Sequence, residues 1–139
     1  MSFQEKSTLA MTGILLAVFG CYFALVLGEV SRSPLRDVTY KGLMVPVVVA
    51  LVVLTAVAHA VIAATAPADA DANDERDRSI GLRGGRIAGY VLAVGCVCGL
   101  TLAMVEADTF WIAQVLLGGL VLAELTEGVS KLVLYRRSA

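Results

Sequence analysis

The segment DERDRSIGLRGGR, residues 74–86, is the densest run of charge in the chain and lies between two apolar runs that are each long enough to cross a bilayer. Its three acids, Asp74, Glu75 and Asp77, and its four arginines, Arg76, Arg78, Arg83 and Arg86, cannot rest in hydrocarbon. They mark a membrane boundary, and the apolar sequence on either side reads as spans.

Outward from this segment, the composition fits that reading. Hydrophobic residues make up 58% and charged residues 17% of the chain, with a mean hydropathy of +0.82, more apolar than soluble domains. A helix needs about 20 apolar residues to cross the hydrocarbon, and four runs qualify, at about 8–27, 43–66, 87–105 and 110–134. The expected fold is all-α: a four-transmembrane-helix bundle, up-down, forming a single integral membrane domain over 1–139. No separate soluble domain fits, and no direct nucleic-acid partner is expected. The net charge of −1 is uninformative, because in a membrane protein the placement of charge matters and the total does not.

The first run is expected to stay as a span rather than act as a signal peptide, since the apolar run is long, only Lys6 precedes it and no convincing small-x-small cleavage site follows Leu27. Gly20, Ala24 and Gly28 recur every four residues, a strip on which a neighbouring helix can approach closely. Residues 29–41 form a polar loop broken by Pro34. In the second run Pro46 is expected in the first helical turn, where its missing N–H costs little.

Asn73 or Asp74 is expected to cap a helix whose first turn places Glu75 and Asp77 against the positive end of the macrodipole. That helix runs into the third span, with at most a soft joint near Gly84 and Gly85. Gly81, Gly85 and Gly89 offer either a packing face or a hinge. Cys21, Cys96 and Cys98 make no metal or disulfide pattern and are expected as small buried apolar side chains. Glu106 and Asp108 mark a very short turn, so the third and fourth spans form an antiparallel hairpin, with Phe110 and Trp111 at the lipid boundary.

The most unusual residues are the intramembrane polar ones: His59 in the second run, and Glu124, Glu127 and Lys131 in the fourth. Spacings of three and four put Glu124, Glu127 and Lys131 on one side of a helix, so Glu127 and Lys131 can pair and the stripe can face the bundle interior. His59 reads first as a packed neutral side chain, and second as the third member of a cluster with the two acids.

Counting Lys and Arg on the two sides of a four-span chain gives eight, including Lys6, the loop arginines, Lys131, Arg136 and Arg137, against three, Arg32, Arg36 and Lys41. By the positive-inside rule both termini and the charged segment are cytoplasmic.

Glu5-Lys6 before the first span, DERDRSIGLRGGRIAGYVL at 74–92, FWIAQVLL at 110–117 and LVLYRR at 132–137 together resemble an uncharacterised family of small four-helix bacterial inner-membrane proteins. The resemblance implies residence in the cytoplasmic membrane and a regulatory partner. It implies no activity, so no catalytic residue is carried over.

Three function classes are weighed on these residues. In the first, the protein is not an enzyme, and Asp74, Glu75, Arg76, Asp77, Arg78, Arg83 and Arg86 bind a soluble regulator or another membrane subunit; a homo-oligomer is a separate expectation. In the second, Glu124, Glu127 and His59 serve a small proton- or ion-coupled transporter. In the third, the protein is a membrane enzyme or metalloprotein that uses His59 with the two glutamates, which could just supply a ligand set. A single histidine argues against a haem bundle, and there is no phosphate-binding glycine loop or serine triad pattern. No cofactor or metal is expected.

Overall fold

The computed structural model describes residues 3–34, 40–65 and 71–137; the side chains at 3–7, 58, 59, 61–63, 65, 71–74, 76 and 77 lie outside that description. Among the described residues the chain is all-α, with α1 Phe3–Val30, α2 Tyr40–Thr65, α3 Asp71–Met104 and α4 Thr109–Arg137. Each helix contains a stretch long and apolar enough to cross a membrane: Thr8–Val30, Tyr40–Val57, Arg78–Met104 and Thr109–Arg137. This is the four-span helical class that the hydropathy predicts, and the protein is a multi-pass membrane protein. The helices outrun the apolar runs because hydrocarbon offers no water to an unpaired N–H or C=O, so helical pairing continues out to the polar boundary.

The outward surface has the character of a lipid-facing one. Leu16, Leu25, Val45, Val52, Tyr90, Val94 and Met104 are each at least 60% exposed, a surface that would drive association in water. Two threonine hydroxyls in the spans are satisfied on their own helices: Thr101 Oγ1 donates to the Val97 carbonyl at 2.8 Å and Thr126 Oγ1 to that of Leu122 at 2.6 Å.

The chain divides into two compact units, Gly13–Ala66 and Met1–Thr12 with Pro67–Ala139. In Gly13–Ala66, α1 buries Leu15, Phe19, Tyr22 and Val26, spaced alternately four and three, the seam of a helix packed along its length. The same spacing on α2 takes in Tyr40, Met44, Val47 and Leu51, of which Tyr40 and Leu51 are buried. The strip of Gly20, Ala24 and Gly28 is not that seam. It is exposed, and a Cβ on Gly20 or Gly28 would meet nothing within 4 Å. The strip sits about half a turn round from the seam, and the bulky side chains, which bring more contact, take the buried side. Pro46 also differs from expectation: α2 starts at Tyr40, so the proline lies inside the helix, where its ring and missing N–H deprive the Gly42 carbonyl of its partner.

In the second unit, α3 and α4 form the expected antiparallel hairpin. A Cβ on Gly84 would meet Lys131, one on Gly95 would meet Gly119 and one on Gly99 would meet Leu116, so the α4 partner falls back as α3 advances. At the crossing the backbones touch: a Cβ on Gly95 would lie 2.8 Å from the Gly119 Cα. The turn between the helices is a Schellman closure. Ala107 N–H donates to the Leu102 carbonyl at 2.9 Å and Glu106 N–H to that of Ala103 at 3.2 Å, with Glu106 at φ 55° where glycine usually stands. Trp111 N–H then donates to the Asp108 carbonyl at 2.9 Å, opening α4.

α3 runs without interruption through Gly81, Gly84, Gly85 and Gly89, none of which has positive φ. Helical order therefore covers all of residues 74–86 and begins slightly earlier than the predicted cap. Gly84 is a packing position, while Gly81, Gly85 and Gly89 have open space where a Cβ would stand.

Candidate functional site: the basic end of the hairpin

The hairpin gathers its cations at one end, where acids of the start of α3 stand among them. Arg78, Arg83 and Arg86 on α3 come together at one end with Lys131, Arg136 and Arg137 on α4, and the turn at the other end carries Glu106 and Asp108. The start of α1 belongs to this basic end, because a Cβ on Gly128 of α4 would collide with the Thr12 side chain. Thr12 Oγ1 donates to the Thr8 carbonyl at 2.8 Å, which turns its hydroxyl back onto its own helix.

Four of the residues predicted to meet a partner, Glu75, Arg78, Arg83 and Arg86, are exposed along the first half of α3. Arg83 and Arg86 take part in no ion pair among the described residues. Asp74, Arg76 and Asp77 are helical, and their side chains lie outside the described residues.

On α4 the seam runs through Phe110, Gln114, Leu117, Val121, Glu124, Gly128, Lys131 and Tyr135, again alternating four and three. Glu124 and Lys131 are thus on the packed side of the helix and half-buried, as the spacing argument requires. Lys131 Nζ reaches Glu127 Oε1 at 2.6 Å, a pair one helical turn apart with both side chains less than a third exposed. This is the predicted Glu127–Lys131 pairing. Arg83 and Arg86 on the facing helix are exposed. Gly84 gives the lysine its place: with no side chain there, the Lys131 stem lies against α3, its Cγ 3.2 Å from where a Cβ would stand.

The side chain of His59 lies outside the described residues, and so does its predicted place beside the two acids. Among the described residues no three His, Cys, Asp or Glu side chains come close enough to hold a metal. The cysteines correct an expectation. Cys21, Cys96 and Cys98 are free and exposed rather than buried, since a thiol is apolar enough to face lipid at little cost.

Gln114, only 6% exposed, is a further polar residue on the packed side, and extending the four-and-three spacing of Glu124 back along α4 leads to it. Among the described residues every buried side-chain nitrogen and oxygen has a hydrogen-bond partner, so the seam holds no orphaned polar group. Comparison of the chain with protein families, with curated proteins and with solved structures finds no match.

Proposed function

We propose that this is a non-enzymatic polytopic protein of the bacterial cytoplasmic membrane whose charged segment, residues 74–86, binds a regulatory or membrane partner on the cytoplasmic side. The observation that carries the reading is a division of labour among charges. The α4 pair Glu127 and Lys131 is consumed internally, whereas Glu75, Arg78, Arg83 and Arg86 stand exposed on a helix that continues the third span. Mixed-sign charge in fixed helical order suits recognition of a complementary surface more than non-specific attraction. The cytoplasmic assignment is supported by the excess of Lys and Arg at this end. The resemblance to small four-helix inner-membrane proteins agrees with both parts of the proposal.

The test is affinity purification of the whole chain in mild detergent, beside a variant with Arg76, Arg78, Arg83 and Arg86 all changed to Gln. A partner retained by the first and lost by the second supports the reading; identical recovery from both overturns it. Labelling of single cysteines placed at Arg36 and Ala68 tests the orientation, because the two must react from opposite sides of the membrane. The alternative, an ion-coupled carrier, is favoured by Glu124 at membrane depth on the packed seam. It requires proton flux in proteoliposomes that Glu124→Gln removes.

A further inference from the structure

The crossing of α3 and α4 leaves a trough. Gly95 and Gly119 meet backbone to backbone and raise no side chain above their contact, while Tyr90, Val94 and Cys98 on α3 and Val115 and Leu122 on α4 stand round it. The groove has a volume of about 530 Å³ and an almost wholly apolar lining. From Tyr90 to Cys98 it extends eight residues along α3, about 12 Å. The hydrocarbon half of one leaflet is about 15 Å deep, and within the run 87–105 the groove starts near the basic boundary at Tyr90 and passes the middle by Cys98, so an acyl chain entering from the basic side reaches the Gly95–Gly119 crossing near mid-membrane.

What lies at its mouth sets the occupant. Arg86, Tyr90 and Val94 follow one another at four-residue spacing on the exposed face of α3, so Arg86 sits one turn beyond the groove toward the polar boundary. Side chains on a helix lean toward its N-terminus, which carries the guanidinium and the Tyr90 phenol outward to headgroup level. Arg86 has no ion-pair partner among the described residues.

We propose that the α3–α4 groove is a binding site for one anionic phospholipid, with an acyl chain along the Gly95–Gly119 trough and its phosphate against Arg86. An acyl chain matches the depth and apolarity of the groove, and a guanidinium matches a phosphate in charge and in paired donors. The proposal rests on the hairpin alone, and its failure would leave the partner-binding reading untouched.

The experiment is native mass spectrometry of the full chain released from bilayers of phosphatidylcholine and phosphatidylglycerol. Helix content of each variant is checked by circular dichroism. The wild type is expected to retain phosphatidylglycerol in preference to phosphatidylcholine. Arg86→Gln is expected to lower that preference about fivefold, the effect of one basic residue near anionic lipid. Arg86→Lys should restore most of it. Val94→Phe, which fills the groove from an exposed position without altering charge, should also abolish retention. Arg137→Gln, about 20 Å beyond the groove along α4, should leave it unchanged.

Three results would overturn the proposal. One is no preference for phosphatidylglycerol in the wild type. Another is equal loss with Arg86→Gln and Arg137→Gln and none with Val94→Phe, which is what diffuse attraction to the anionic surface gives. The third is a dimer that Val94→Phe dissociates without changing lipid retention, which would make the groove a seat for a second copy.

Discussion

Lys131 fits against Gly84 as a stem into a notch: a Cβ on Gly84 would stand 3.2 Å from the Lys131 Cγ and 3.5 Å from the Glu127 carbonyl oxygen. The glycine therefore governs the ion pair from the facing helix, and the two features are one arrangement. Gly84→Ala asks only a small shift of a flexible side chain and should change stability little. Gly84→Leu should displace the stem and destabilise by about 1–3 kcal/mol. Thermal unfolding in detergent reads both.

The pair itself is expected to be coupled. Glu127→Gln leaves Lys131 charged without its partner, and Lys131→Met leaves the acid, so each alone should cost about 1–3 kcal/mol. The double variant should cost less than their sum. An additive cycle would show that the 2.6 Å contact contributes no interaction energy.

At the crossing there is no flexible side chain to give way. Gly95→Ala places its Cβ 2.8 Å from the Gly119 backbone, so the helices must part, and a loss of about 1–3 kcal/mol is expected. Gly89→Ala is the control: its Cβ meets open space, and the better helix propensity of alanine, about 1 kcal/mol, should leave the protein as stable or more so. Equal unfolding temperatures for the two variants would contradict the close approach.

Glu106 holds a left-handed backbone at φ 55° that glycine adopts without strain. Glu106→Gly should raise stability by about 0.5–1 kcal/mol, net of the extra freedom glycine gains on unfolding. A lower unfolding temperature would mean that the acid does something at the turn beyond holding its shape.

Much of this architecture is legible in one dimension because hydropathy and helical spacing are local properties. The four apolar runs appear as four helices, the pair Glu106 and Asp108 marks the turn, and Glu127 with Lys131 can be matched from their separation alone. What escapes is anything that depends on which face meets which. Gly20, Ala24 and Gly28 have the spacing of a packing strip, yet nothing in that spacing ranks them against Leu15, Phe19, Tyr22 and Val26 on the other side. Gly95 and Gly119 are two glycines among 13, and only the length of the turn between their helices brings them opposite each other. The Schellman closure was hidden for a different reason: its left-handed position holds a glutamate, which carries no signal for that conformation.

The unbroken length of α3 has a mechanical meaning. Its 34 residues extend about 51 Å against about 30 Å of hydrocarbon, so a stiff shaft stands proud of the bilayer with Glu75 and Arg78 near its free end. Torque applied there has no loop in which to dissipate. Along the same shaft α3 lies against α4 first at Gly84, beside the Lys131 stem, and then at Gly95, against the Gly119 backbone. The charged end and one wall of the trough therefore belong to a single continuous helix.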